Sequence, residues 1–276
     1  DGKGGYNVLV DRAGERPMVM CLNGATGEEI WSHAGELAPS PHHAYADARR
    51  VFYANAIAHP NGPPNLCGSD SPDILLFVKG EKVWDAVVID SATGVEGVRV
   101  TVDFRINGIG WLPTKMGGTP RDYDVILCSD TAGLRRIGGI DGKEVWRRND
   151  LPHLYGISAG DIDDDGVGDF VGGNHYYNDR LIMLSGADGR TIWETPYGAF
   201  DIVGTVQVGE GSGNGKDIVV GAQLAADGGV RRYRAADGRR VWTCGKMYDN
   251  NAIRGIIGRT NGGTILSLWR HKGRFV

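Results

Sequence analysis

The stretch "LSGADGRTIW", residues 184–193, sets a Gly-containing turn between two apolar runs and ends on a tryptophan. The same layout recurs as "LNGATGEEIW" (22–31), "IGGIDGKEVW" (137–146) and "YRAADGRRVW" (233–242). Trp146, Trp193 and Trp242 follow one another at intervals of about 48 residues, which is a repeat period and not a coincidence of composition. A fifth, weaker copy, "VIDSATGVEGVRV" (88–100), has Val98 in the tryptophan position. An insertion separates it from the first copy. Each copy reads as strand, turn, strand, with Asp-Gly or Thr-Gly supplying the positive φ of a hairpin turn.

Two further strand-like runs precede each hairpin. In the best unit they are "LYGISAG" (154–160) and "FVGGN" (170–174), followed by "RLIMLSG" and "TIWETPY". Four short antiparallel strands per unit is the pattern of a β-propeller blade. The expected fold is all-β: a propeller of four-stranded antiparallel blades, five to six in number or a fragment of a larger ring, with residues 1–276 as one domain. "YNVLVDR" (6–12) falls in a second-strand position, while "AIRGIIG" (252–258) and "GTILSLW" (263–269) fall in first- and second-strand positions. The first of those C-terminal runs is a candidate to complete the N-terminal blade. No segment carries a 3.6-residue apolar period, so a helical solenoid is excluded.

Composition agrees. The chain holds 44 glycines in 276 residues, more than twice the usual ~7%, as many tight turns require. The net charge of −4 gives no basic footprint for nucleic acid. No apolar run reaches the length of a membrane span. Cys21, Cys67, Cys128 and Cys244 are widely spaced, without a CxxC pattern, so neither a disulfide framework nor a Cys-rich zinc site is expected.

The segment "AGDIDDDGVGDF" (159–170) concentrates like charge between two strands. Asp161, Asp163, Asp165 and Asp169 spell D-x-D-x-D-G-x-x-D, with Gly166 at the turn. Alternate residues of a tight loop point the same way, so these carboxylates and the Val167 carbonyl are the expected ligands of a structural Ca²⁺ ion. The loop one period later, with Glu210, Ser212, Asn214 and Asp217, looks like a degenerate copy, and Asp1-Gly2 like the tail of a third.

Two apparent motifs fail on context. "GISAG" (156–160) fits G-x-S-x-G, but Ser158 lies within a strand and not at a strand-to-helix turn. "GEGSGNGK" (209–216) has Glu210 where a phosphate loop needs glycine, and Asp217 where it needs Ser or Thr.

The D-x-D-x-D-G-x-x-D loop between blade strands is similar to the calcium loops of integrin-α-like (FG-GAP) propellers. The "ADGRTIW" hairpin resembles the tryptophan-docking motif of PQQ-like propellers. Their combination resembles the calcium-rich propeller of rhamnogalacturonan lyases. These motifs specify blades and not substrates.

In a four-stranded blade the second-to-third-strand loops and the inter-blade connections share one face, opposite the metal loop. Sorting by this rule gathers His42, His43, His153, His175, Tyr155, Tyr176, Tyr177, Tyr248 and Arg180 on one side. Such a face suits sugars or a protein partner. His153, Tyr155, Tyr177 and Tyr248 are the candidate ligand-binding residues. His42, His43, His175, Tyr176 and Arg180 are candidates for catalysis if the protein is a polysaccharide lyase. In that case arginine would pair with the uronate, and His or Tyr would move the protons of β-elimination. The expected function is a secreted, calcium-stabilised propeller that binds carbohydrate or protein, with the lyase as alternative. Calcium favours an extracellular, periplasmic or cell-surface location.

Overall fold

In a computed structural model the chain is all-β, and every described sheet is antiparallel. The structure describes residues 7–12, 18–34, 36–37, 64–69, 71, 73–79, 83–174, 180–196, 201–207, 216–222, 229–244, 254–260 and 263–269. Two compact units divide the chain, Asp1–Pro152 and His153–Val276.

The first unit holds three sheets. One is β1 (Asn7–Arg12), β2 (Met18–Asn23) and β3 (Glu29–Ala34). The next is β4 (Glu36–Leu37), β5 (Asp73–Lys79), β6 (Trp84–Asp90) and β7 (Glu96–Val102). The third is β8 (Gly108–Pro113), β9 (Tyr123–Ser129), β10 (Gly133–Ile137) and β11 (Glu144–Arg148). The second unit holds β12 (Leu154–Gly160) to β15 (Thr191–Pro196), with β13 (Asp169–Asn174) and β14 (Arg180–Leu184) between them. Then come β16 (Asp201–Gln207), β17 (Lys216–Ala222), β18 (Gly229–Arg234) and β19 (Arg240–Cys244), and last β20 (Arg254–Thr260) with β21 (Gly263–Trp269). Strands pair in chain order in every sheet, which is the meander of a β-propeller blade. Within the second unit the first strands β12, β16 and β20 lie side by side. β20 pairs with β21 in a sheet of their own, and β1 stands beside β2 as a second strand, without a first-strand partner among the described residues.

The five recurring turns share one geometry. The glycine N–H donates to the carbonyl four residues back: Gly27 to Asn23, Gly94 to Asp90, Gly142 to Gly138, Gly189 to Ser185 and Gly238 to Arg234, all at 2.7–2.9 Å. Positive φ falls on these glycines alone, at 67–74°, and not on the Asp or Thr before them. The turn is thus a five-residue reversal closed by a left-handed glycine, with a bulge in the ladder beside it, for example between Met183 and Leu184. A two-residue type I′ hairpin would have placed both central residues at positive φ.

The tryptophans explain why the repeat keeps that glycine. Trp31 Nε1 donates to the Ser91 carbonyl at 3.0 Å, and Trp193 Nε1 donates to the Ala235 carbonyl at 2.7 Å. Both acceptors are the second residue of the next sheet's turn. A Cβ on Gly94 would lie 2.6 Å from the Trp31 ring, and one on Gly238 would lie 2.5 Å from the Trp193 ring. Val98, the branched residue in the degenerate copy, covers Gly142 in the same way, 3.3 Å from where a Cβ on that glycine would lie. The hairpins at Gly94, Gly142 and Gly238 therefore close their own sheets and seat the side chain of the sheet before. Around these contacts the cores are aliphatic: Val19, Cys21, Ile74, Leu76, Val87 and Ile89 under Trp31, and Val171, Leu181, Met183, Ile218 and Tyr233 under Trp193.

Gly94→Ala must pay both for positive φ and for a collision with Trp31, whereas Gly27→Ala pays for φ alone, because no atom lies within 4 Å of its Cβ position. Thermal melts should show Gly94→Ala losing clearly more stability than Gly27→Ala, and Trp31→Ala losing about 3–5 kcal/mol. Equal losses at the two glycines would contradict the docking account.

Candidate functional site

The candidate site is built on a register position that recurs in the sheets. Asp73, Asp124, Asp169 and Asp217 are each the first or second residue of their sheet's second strand, opposite the first residue of the turn, and all four are buried. A buried carboxylate must be satisfied. Asp124 Oδ1 accepts from Gly139 N–H at 2.9 Å, and its Oδ2 accepts from Arg136 Nε at 2.7 Å. Asp217 is paired with Arg232. Asp169 is held by backbone alone: Oδ2 accepts from Ile162 N–H at 2.6 Å and Asp163 N–H at 3.3 Å, and Oδ1 from Gly186 N–H at 2.9 Å. Gly186 has to be glycine, since a Cβ there would lie 1.8 Å from the Gly168 carbonyl.

Asp169 anchors the acidic loop. Carboxylate oxygens of Asp161, Asp163 and Asp169 lie within 4.8 Å of one another. Asp161 also ties the loop, taking N–H groups from Asp165 at 3.1 Å and Gly166 at 3.0 Å. Asp164 and Gly166 both adopt positive φ, which lets the chain double back over the carboxylates. Asp163 Oδ1 is buried without a hydrogen-bond partner, while its Oδ2 meets Arg190 at 2.6 Å. Burial, with the Asp165 charge behind it, raises the Asp163 pKa against the opposing Arg190. Burial also pushes the Asp169 carboxyl up to about 7, outweighing its backbone donors. Three hard oxygen donors, with the proton affinity of Asp163 and Asp169 raised, fit a divalent cation of the calcium type.

Of the expected ligands, Asp161, Asp163 and Asp169 are brought together. Asp165 takes another course: Oδ1 accepts from Val167 N–H at 2.9 Å and Oδ2 from Ser185 Oγ at 3.4 Å. Val167 thereby donates its N–H to the Asp165 side chain. Arg190 was not legible as a partner of Asp163, because it lies in the next hairpin.

A second loop of this build was missed in the sequence. The ladder aligns Asp73 with Asp169, and counting back places Asn65, Leu66 and Cys67 on Asp161, Ile162 and Asp163. The contacts agree. Asp73 Oδ2 accepts from the N–H groups of Leu66 and Cys67, Leu66 is buried like Ile162, and Gly68 N–H donates to Asn65 Oδ1 at 2.8 Å. Here a thiol replaces a carboxylate, and burial pushes Cys67 up to about 12. The signal was the shared nine-residue spacing to the aspartate that opens the strand.

The loop-face candidates divide sharply. His153 is half-buried in the turn before β12, at φ 57°. Tyr155 lies in β12. Arg180 is exposed, at the start of β14, with both oxygens of Glu194 at 3.0 Å. His42, His43, His175, Tyr176, Tyr177 and Tyr248 lie outside the described residues, as do Glu210, Ser212 and Asn214 of the degenerate loop. Within this sheet, Leu154 pairs with Asn174 at one end and Gly160 with Asp169 at the other. His153, Asn174 and Arg180 thus stand at the strand ends opposite the acidic loop, a strand length of roughly 20 Å away. Among the described residues no helix is long and apolar enough to cross a membrane.

Comparison with solved structures gives the fold. The chain superimposes on a quinohemoprotein alcohol dehydrogenase, ADHIIG, from Pseudomonas putida HK5, with TM-score 0.55 and 12% identity over 95% of this chain and 54% of that one. It superimposes on the rhamnogalacturonan lyase YesW with TM-score 0.55 and 13% identity over 98% of this chain and 53% of that one. For BBS1N, in complex with ARL6DN, the figures are TM-score 0.54 and 9% identity, over 97% of this chain and 71% of that one. The chain spans about half the length of the dehydrogenase and the lyase. No curated protein matches it by sequence. A family model does: the PQQ-like repeat model described as outer membrane protein assembly factor BamB aligns with residues 130–276, more than half of the chain. The repeated Trp-on-turn hairpins and this match together place the chain in that PQQ-like, BamB-type repeat family.

Proposed function

We propose that this propeller is a calcium-stiffened binding platform that works outside the cytoplasm. The ion would sit at Asp161, Asp163 and Asp169, and the ligand, a protein or a glycan, would be taken by the His- and Tyr-rich loops at the other strand ends. The observation that carries the reading is the convergence of three carboxylates within 4.8 Å, with an orphaned buried oxygen on Asp163, in a loop otherwise closed by hydrogen bonds. The separation of roughly 20 Å along a strand, from the acidic loop to His153, supports a structural part for that ion, remote from the proposed ligand. A protein ligand is supported by the family's description as an outer membrane protein assembly factor and by BBS1N, a propeller of similar fold solved in complex with another protein. That description also supports a periplasmic or cell-surface location. A glycan ligand rests on the residue types of the loop face.

The ion is tested by melting the protein in calcium and in chelator. Calcium at a hundredfold excess over its Kd should add about 2.7 kcal/mol, a shift of several degrees. Asp163→Ala should abolish the increment. A melting temperature indifferent to chelator would remove the ion from the account.

The same loop predicts a pH dependence. With Asp169 held up to about 7, the folded protein keeps a proton that the unfolded chain releases near the ordinary carboxylate value. The stability this contributes is complete below about pH 4 and is lost as pH rises through about 7. In chelator the melting temperature should therefore fall across that window. Calcium, which binds the ionised form, should flatten or reverse the fall. Parallel curves with and without calcium would show that the two do not share a site.

For the ligand, the protein should be titrated with pectin, ulvan and glycosaminoglycans while the absorbance of unsaturated uronate is followed. Binding without a new chromophore is expected. A chromophore that disappears in His43→Ala or His175→Ala would make the protein a lyase.

A further inference from the structure

Within the first unit a groove of about 370 Å³ runs between β7 and the outer strands β10 and β11 of the next sheet. Val83, Val102 and Phe104 line one side, and Arg135, Glu144 and Arg147 the other. Arg135 is the residue that the fold does not explain. The ladders place it opposite Arg147, and the equivalent places in the other sheets hold Met20, Val87, Ile182 and Arg231. An apolar side chain therefore serves there in three of them.

Arg135 is 9% exposed, and its guanidinium lies over the Phe104 ring, 5.2 Å from the centroid. Its Nη1 donates to Asn149 Oδ1, and its Nε faces Glu144 Oε2 at 3.4 Å. Nη2 has no acceptor among the described residues and is not sealed from solvent, so it opens into the groove. Arg136, on the opposite face of the strand, is by contrast engaged by Asp124. Arg147 gives Nε to Glu144 Oε1 at 2.6 Å, and its two terminal nitrogens have no acceptor among the described residues. One carboxylate thus serves two guanidiniums that stand directly opposite each other on paired strands, where like charges repel. A positive charge is left over in the groove. Asp103 also borders it, but it is exposed and continues the alternation by which Arg99 and Thr101 turn to Asp85, away from Val102 and Phe104.

We propose that this groove binds a small carboxylate carried on an apolar or aromatic body. The carboxylate takes the end-on fork of Arg147 and the open Nη2 of Arg135, and the body lies along Val83, Val102 and Phe104. The volume is at the small end of the roughly 300–1,000 Å³ range of ligand sites, which suits a single ring or a short chain. Glu144 is the internal competitor, holding both guanidiniums when no ligand is present. The site belongs wholly to the first unit and depends neither on the acidic loop nor on the His- and Tyr-rich loops.

Ligand-observed NMR titration of the whole chain with sodium benzoate tests this, with benzamide, acetate and benzylamine as controls. Benzoate should bind with a Kd of about 1 mM or tighter. Benzamide lacks the charge and acetate lacks the body, so each should bind at least about tenfold more weakly, and benzylamine not at all. Arg147→Gln, at a side chain 59% exposed, should keep the fold and weaken benzoate about tenfold. Arg135→Lys keeps the charge without the planar fork and should also weaken it. Glu144→Gln should tighten benzoate, because both guanidiniums are then released to the ligand. The proposal is overturned if benzoate does not bind at about 10 mM, or if benzamide binds as well as benzoate. It is overturned equally if Arg147→Gln leaves the affinity unchanged, or if Glu144→Gln leaves it unchanged or lowers it.

Discussion

The buried aspartate at the head of the second strand is the constraint on which the blades depend. Two chain reversals meet at that end of a sheet, the first-to-second-strand loop and the third-to-fourth-strand turn. Their inward N–H groups have no ladder partner, and a carboxylate can accept from both. Asp169 does so through Ile162, Asp163 and Gly186, and Asp124 reaches the equivalent turn residue, Gly139. The turn can come that close only when its second residue is glycine. In the sheet where Ser91 stands there, Asp73 Oδ1 is buried with no hydrogen-bond partner, and Asp73 turns its other oxygen to the loop.

Burying that charge has a cost that each sheet offsets in its own way. Asp124 has Arg136, and Asp217 has Arg232. Asp169 has backbone dipoles only, and its carboxyl is accordingly pushed up to about 7. The positive charge nearest the loop is Arg190 on Asp163, on a side chain 55% exposed and therefore well screened. The acidic loop thus sits in a sheet whose aspartate, like Asp73, lacks an arginine. A cation there would supply the compensation that Asp124 and Asp217 draw from their third strand.

The sequence made the blades legible because turn and tryptophan are local. A glycine at fixed distance from a tryptophan is visible in one dimension, and so is Val98 as the substitute over Gly142. The direction of the strands and the opposite placement of the acidic loop and His153 follow from counting along the same unit. What stayed hidden depends on pairing between segments. Asn65–Asp73 keeps only the closing acid, with Asn65, Cys67 and Ser69 where its counterpart has Asp161, Asp163 and Asp165, and only the ladder register of β5 reveals it. Arg190 reaches Asp163 across two strands, and Asp165 turns to Ser185 by the same cross-strand route. Most of the His and Tyr residues of the loop face lie outside the described residues, so their grouping remains an argument from strand order.

The two nine-residue loops bear on what a cation would do. Both close on a buried aspartate that takes two consecutive N–H groups, and in both the first residue's side chain accepts an N–H further along the loop. One achieves this with Asn65, Cys67 and Ser69, whose hydroxyl accepts from Ser71 N–H at 3.0 Å. The path of the chain therefore does not require three acids. Asp161 and Asp163 add charge to a loop whose geometry is available without it, and mutual repulsion makes that addition destabilising unless something positive is present. Acids where neutral side chains serve the same backbone are the arrangement expected of a loop that a cation would stabilise, and on the proposal above the blade would be stiff in calcium and looser without it.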